Sequence, residues 1–333
     1  EIYNERDNLK EYIKHDAKKV MNEYFKNWRG ITCSDIYINL FKDDQVFEIS
    51  TGNRIPKALA EYIRDEAIEN HEKGIIDEDD LAPLLYIRMI LEGIDEKEKF
   101  QHIVVDEAQD YSPLQIYLIN KLSRGNSLTL VGDLAQGIYY YKGIEKWEDI
   151  TEGLFKGNAT YIQLTQSYRS TVEIIDFASG ALKAQKLGLK NAMPVLRHGD
   201  VPKVIEVESI NEYSEVIDNI VEEVRENGKR SIAIVTKNSH EALKLFKKLK
   251  TKNPFTLIKG KEKKLEDELI IIPSYLTKGL EFDCTIILNP SEESYGDNIL
   301  DKRLLYVSLT RALHYEYIIK LNRMTFMIKE NNN

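Results

Sequence analysis

From about residue 101 to the end, short apolar runs alternate with amphipathic stretches, and this alternation limits the possible folds more than any other feature. Strands are expected at 102–106, 127–131, 160–164, 203–208, 231–235, 269–272, 284–288 and 315–320, with helices near 113–122, 171–184, 211–226, 239–249 and 300–312. A chain that repeats strand and helix in this way forms mainly parallel sheets covered by helices, so the fold class is α/β. The first hundred residues differ. Leu9, Tyr12, Ile13, Val20, Met21, Tyr24, Phe25 and Trp28 recur at three- and four-residue spacings between charges, the pattern of one long amphipathic helix over 1–28. Ser34 to about Phe41 and Pro56 to about His71 read as further helices. Ile75 to Asp80 lead into another that carries Leu81, Leu84, Leu85, Ile87, Ile90 and Leu91. Gly143, Gly153 and Gly157 mark a break near 143–158, a candidate junction between two α/β units, and Asn331 to Asn333 read as a frayed end.

With 333 residues the chain is long enough for two domains and a substantial core. No apolar run approaches membrane-spanning length, and Glu1 opens a charged stretch, so neither a membrane nor a secretory route is expected. The absence of an initiator Met suggests a piece of a longer protein. Cys33 and Cys284 are too few and too far apart for a zinc motif and point to a reduced, cytoplasmic setting. The net charge of −9 is uneven: residues 1–150 hold 19 basic and 30 acidic side chains, net −11, and residues 151–333 hold 27 and 25, net +2. Such a balance argues against a chain that grips nucleic acid mainly by counterion release, although local basic grooves remain compatible with it.

One stretch carries the chemistry. His102-Ile-Val-Val-Asp-Glu-Ala-Gln-Asp110 is a β-branched run ending in two adjacent carboxylates, with Ser112-Pro113 beyond it as a plausible helix start. A buried parallel strand that stops at an acidic pair suits a magnesium-nucleotide site: the first carboxylate holds the metal and the second orients or deprotonates the attacking water. An ordinary strand with an acidic loop after it would read the same way on these nine residues alone.

The later motifs are more specific. A second apolar run, Leu128 to Val131, leads into Gly132-Asp-Leu-Ala-Gln-Gly-Ile-Tyr139. Together with Asp106-Glu-Ala-Gln-Asp110 it resembles the second and third motifs of superfamily-one helicases of the UvrD/Rep type. Gln166-Ser-Tyr-Arg-Ser-Thr171 resembles the fourth, Thr277-Lys-Gly-Leu-Glu-Phe-Asp283 the fifth, and Leu305-Tyr-Val-Ser-Leu-Thr-Arg-Ala312 the sixth, in the family's order. The resemblance implies an acidic helical region over 1–80, the remainder of a first RecA-like domain over 81–150, and a second RecA-like domain of P-loop NTPase type over 151–333. A nucleotide site would lie at the carboxyl ends of their strands.

It also implies roles. Asp106 would coordinate Mg2+ and Glu107 would activate water; Gln136 would sense the γ-phosphate; Arg169 and Arg311 would neutralise charge on the transferred phosphoryl group. Tyr168 would stack on adenine, Glu281 would contact the ribose, and Lys278 and Gly279 would sit in the loop that couples nucleotide to strand. Each arginine taken alone reads as a surface ion pair; their company changes that. Tyr139 and Tyr141 occupy the aromatic place on which single-stranded DNA bases stack, and Tyr275 stands where motor helicases usually have a histidine. Asp80-Leu-Ala-Pro-Leu-Leu-Tyr86, the Tyr-Ser-Pro ending at Pro113 and the Tyr275 variant are similar to HelD-type factors, which bind bacterial RNA polymerase. The resemblance implies one of two functions: an ATP-driven factor that remodels or releases RNA polymerase, favoured by the acidic first 150 residues, or a DNA-unwinding helicase acting on single-stranded DNA. A degenerate, non-catalytic scaffold is a third.

No Gly-x-x-x-x-Gly-Lys-[Ser/Thr] occurs among the 17 glycines. That loop cradles the phosphates, so ATP is expected to be bound and hydrolysed only with a missing N-terminal part of the same protein. These 333 residues alone are expected to be inactive.

Overall fold

The computed structural model describes residues 2–26, 30–52, 54–188, 193–194, 197–262 and 268–328. Trp28 and Asn331 to Asn333 lie outside the described residues. The chain divides into two compact units, residues 1–103 with 114–129, and residues 104–113 with 130–333.

The first unit is helical: α1 (Ile2–Lys26), α2 (Cys33–Lys42), α3 (Asp44–Thr51), α4 (Lys57–Lys73) and α5 (Glu78–Glu92), with most of α6 (Pro113–Lys121). Helix α1 forms as its periodicity predicts, yet Leu9, Tyr12, Ile13, Val20, Met21, Tyr24 and Phe25 are all exposed. Thr32 and Asp35 form a reciprocal capping box that starts α2. Asp43 ends α2 and starts α3, its carboxylate accepting the N–H groups of Gln45 and Val46. Helix α2 packs on α3, α4 and α5, burying Ile38, and Tyr37 Oη donates to Asp80 Oδ1 at 2.5 Å. Burial and that carboxylate hold the Tyr37 hydroxyl well above its ordinary range.

The second unit centres on a six-stranded, all-parallel sheet of order β5-β10-β9-β6-β8-β7. Its strands are β5 (Lys203–Glu206), β6 (Ile232–Thr236), β7 (Thr256–Leu257), β8 (Leu269–Pro273), β9 (Phe282–Leu288) and β10 (Ala312–Lys320). The central strands read as continuous Ile/Val runs because helices cover both faces. On one face Ala233, Val235, Ile270, Ile272, Ile287 and Ile318 pack with α7 (Val172–Ala184) and α10 (Ile299–Leu309). On the other, Ile232, Ile234, Ile271, Ile286 and Ile319 pack with α8 (Tyr213–Glu226) and α9 (Ser239–Lys248). Thr171, Asn238 and Asn298 cap α7, α9 and α10 with side-chain oxygens. Ile234 is fully buried in β6, so Ile234→Ala should cost about 3 kcal/mol of stability, read by urea unfolding.

Two shorter ladders complete the architecture. Strand β1 (Ile103–Val105) pairs with β2 (Leu128–Leu130), and β3 (Gln166–Ser167) pairs in parallel with β4 (Met193–Pro194). The α/β class is as expected, and α2 and α4 to α10 fall where the periodicity places them. The expected strand at 160–164 does not form. Its residues belong to no ladder, with Tyr161, Ile162 and Leu164 exposed. A run of strand-forming residues makes a strand only where a ladder partner is present, and here the ladder begins two residues later at Gln166. No helix among the described residues is long and apolar enough to cross a membrane.

Candidate functional site: a polar path from Glu107 to Glu281

The groups that make up this site all belong to the second unit. Val131 N–H donates to the carbonyl of Val105 at 2.8 Å and Ala108 N–H to that of Val131 at 2.9 Å, which fixes the turn that carries the acidic pair. Glu107 takes a left-handed conformation, φ 51°, a position sparsely allowed for a side chain of this size. Its N–H donates to Asp106 Oδ1 at 2.8 Å.

From Glu107 the polar groups form a continuous path. Gln109, fully buried, donates through Nε2 to Glu107 Oε2 at 2.5 Å and accepts the Asp133 N–H on Oε1 at 2.9 Å. Asp133 accepts the Ala135 N–H on Oδ1 at 2.9 Å and the Gln136 amide on Oδ2 at 2.8 Å. Gln136 Oε1 in turn accepts from Arg311 Nη2 at 2.6 Å. Arg311 is 1% exposed and also donates to the carbonyls of Val307 (2.9 Å) and Leu280 (3.4 Å). Arg169 Nη2 donates to the same Leu280 carbonyl at 2.7 Å, and its Nε lies 2.9 Å from Glu281 Oε1 as an ion pair. The path therefore joins the arginines to the acidic turn through the amides of Gln136 and Gln109, with Asp133 between them.

Its electrostatics arise from burial. Desolvation first, then the Arg169 charge, pushes Arg311 down to about 10, so it remains cationic at neutral pH. Lys278 forms an ion pair with Asp110 and lies 3.4 Å from Glu107 Oε2. Burial pushes the Asp110 carboxyl up, with Lys278 pulling it back. Close packing supports the path at one glycine. A Cβ at Gly132 would stand 2.3 Å from Gln109 Oε1 and 3.1 Å from the Ala108 and Gln109 nitrogens. Gly132→Ala should cost about 2 kcal/mol by forcing these groups apart, measured by denaturant unfolding.

Beside the path lies a cavity of about 650 Å3 lined among others by Asp133, Gln136, Tyr168, Arg169, Glu281 and Arg311. Tyr168 is 71% exposed, its hydroxyl donating to Gln166 Oε1 at 3.1 Å. Two guanidinium groups, an amide and an accessible aromatic ring around one opening give a donor set that suits a polyanion with a planar base. Asp106 and Glu107 do not line the cavity, but Glu107 reaches it through Gln109 and Asp133; Asp106 Oδ2 has no hydrogen-bond partner among the described residues. Lys278 and Gly279 (φ 77°) also stand outside it. Tyr139 and Tyr141 flank Lys142, whose Nζ is 5.6 and 5.9 Å from their rings. Tyr275 Oη is 2.7 Å from Ser239 Oγ at the carboxyl ends of β6 and β8. None of the three tyrosines lines the cavity.

The expected placement at carboxyl strand ends needs correcting. Asp106 comes directly after β1 and Asp133 shortly after β2, as expected, whereas Glu281 and Arg311 immediately precede β9 and β10, with Phe282 N–H donating to the Arg311 carbonyl. The cavity therefore sits at the amino ends of those two strands. Gln109, Asp110 and Asp133 lie inside the acidic and Gly-Asp motifs, but motif order alone assigned them no role. Tyr306, which also lines the cavity, lies inside the sixth motif without an assigned role, whereas Gln185 and Arg303 lie outside every quoted motif.

Comparison with known proteins finds helicase domains along the chain. Residues 3–146 match the UvrD/REP helicase N-terminal domain, and residues 162–271 and 269–319 match two descriptions of the UvrD-like helicase C-terminal domain. Among curated proteins, the ATP-dependent DNA helicase Rep of Buchnera aphidicola subsp. Schizaphis graminum is 25% identical over 98% of this chain and 50% of its own length. The ATP-dependent DNA helicase PcrA of Leuconostoc citreum is 23% identical over 79% of this chain and 36% of its own. A solved C-terminal domain of a possible DNA helicase from Lactobacillus plantarum is 31% identical over 50% of this chain and 95% of that domain, with a TM-score of 0.40. The parallel sheet and the family matches define an α/β chain of the RecA-like class. The chain belongs to the UvrD/Rep-like helicase family. It spans about half the length, or less, of these two curated relatives.

Proposed function

We propose that this chain supplies part of the ATP-hydrolysing site of a DNA helicase that works on single-stranded DNA. The observation that carries the proposal is the Arg311–Gln136–Asp133–Gln109–Glu107 path, which links Arg311 to the acidic turn beside a cavity that Arg169 also lines. Residues 81–150 would complete one RecA-like domain and 151–333 form the other, with 1–80 as a helical appendage. ATP with Mg2+ supplies the phosphoanhydride bond whose cleavage drives the motor. Asp106 would hold the metal, and Glu107 would accept a proton from water once Gln109 and Lys278 release its carboxylate. Gln136, Arg169 and Arg311 would hold the terminal phosphate, Tyr168 the base and Glu281 the ribose. Lys278 and Gly279 would couple this site to the strand, contacted by Tyr139, Tyr141 and Tyr275.

With no phosphate-binding loop in the chain, we propose that hydrolysis needs a longer polypeptide and that these 333 residues do not turn over ATP. Measurable turnover by this chain above a Glu107→Gln control would contradict that part.

The names of the relatives favour DNA unwinding over a HelD-like action on RNA polymerase, reversing the order in which the motif variants and the charge placed them. The polymerase reading keeps two supporting observations, the −11 charge of residues 1–150 and the tyrosines at 141 and 275. Strand-displacement and polymerase co-purification assays on the longer protein separate the two. Unwinding that falls on Tyr141→Ala is the expected result; polymerase capture without single-stranded DNA binding would overturn it.

A further inference from the structure

Arg303 is 3% exposed, on α10, and has no ion-pair partner within 4.0 Å among the described residues. A buried guanidinium is costly unless something specific offsets it. Its Nη1 donates to the carbonyl of Gly137 at 2.5 Å, and its Cζ lies 5.8 Å from the centre of the Tyr140 ring. From the end of α7, Gln185, 6% exposed, donates through Nε2 to the carbonyl of Ala135 at 3.2 Å. The two carbonyls that flank Gln136 are thus each gripped by a buried side chain. Gly137 permits the grip: a Cβ there would stand 3.2 Å from Arg303 Nη1. Arg311, two residues past the end of the helix that presents Arg303, holds the Gln136 side chain with its guanidinium. Backbone and side chain of Gln136 are therefore held from three places: the end of α7, the middle of α10 and the turn that follows α10.

We propose that Arg303 is a positioning residue that, with Gln185, clamps the 134–137 turn so that Gln136 meets Arg311. A core arginine satisfied by whichever carbonyl lies nearest would not need a second grip on the other side of the same glutamine. The functional part of this inference rests on the ATPase reading; the clamp itself does not.

The test uses hydrogen exchange on this chain and ATP turnover by the longer protein. Arg303→Met should raise exchange across 133–138 by about tenfold, with β6 and β9 unchanged and Arg303→Lys restoring part of the protection. Gly137→Ala should act in the same direction. In the longer protein Arg303→Met should lower kcat by about a hundredfold with little change in KM, and add nothing to Gln136→Ala. Unchanged exchange in the turn, or losses that multiply with Gln136→Ala, would overturn the proposal. Should Arg303→Met not fold, Arg303→Lys takes its place, and exchange in the turn equal to wild type counts against the clamp. If Gln136→Ala leaves turnover intact, the ATPase reading falls, and the exchange result still decides the clamp.

Discussion

Replacing Arg311 with methionine should lower ATP turnover of the longer protein by at least about a thousandfold while moving its unfolding midpoint little. The two halves have different causes. An arginine that meets charge developing on a transferred phosphoryl group acts where that charge appears, and no neutral side chain replaces it. Stability is another matter. Arg311 donates to Gln136, Val307 and Leu280, but its burial beside Arg169 drives its pKa down to about 10. The desolvation behind that shift offsets much of what the hydrogen bonds contribute, and an apolar side chain of similar length fills the volume. Leu280 keeps Arg169 as donor, and Gln136 keeps Asp133 as acceptor. Turnover is read by phosphate release and stability by urea unfolding. A variant that loses several kcal/mol of stability with turnover intact would make Arg311 a structural residue.

The second large effect concerns Glu316 on β10, 2% exposed in the sheet interior. Thr285 Oγ1 donates to its Oε1 at 3.4 Å, and Oε2 has no hydrogen-bond partner among the described residues. Burial holds this carboxyl far above the usual carboxylate range. The folded chain thus keeps a proton that the unfolded chain gives up at about 4.3. Between those two values the folded state binds more protons than the unfolded one, so the contribution is fully present below about pH 4.3 and is lost as pH rises. The loss is about 1.4 kcal/mol per pH unit across that window. Glu316→Gln keeps the shape without the proton equilibrium. Its advantage over wild type should widen from pH 5 to pH 8 in urea titrations; parallel stability profiles would show that Glu316 is not buried as a neutral acid.

Sequence patterns revealed those parts of the fold whose cause is local. Ile232 to Val235 and Leu269 to Ile272 are apolar on both faces because α7 to α10 cover both sides of the sheet, and that burial writes itself into composition. Helix α3 escaped because its eight residues are too few to repeat a helical period and share their start, Asp43, with the end of α2. The 160–164 run misled because strand propensity says nothing about a pairing partner. At the site, Gln136, Tyr168, Arg169, Glu281 and Arg311 were legible through motif order, and they do converge on one cavity. What no motif order conveys is the wiring: Gln109 as the bridge from Glu107 to Asp133, the backbone grips of Gln185 and Arg303, and the position at the amino ends of β9 and β10. Those depend on contacts between residues up to 166 positions apart.

The measurement closest to the central claim is DNA-stimulated ATP turnover by the longer protein with Glu107 or Gln136 replaced, Glu107→Gln and Gln136→Ala. If the path from the acidic pair to the arginines is part of a nucleotide site, each change should cut turnover by about a hundredfold or more without unfolding the protein. Turnover unchanged in both variants would mean that the path is only a buried polar network.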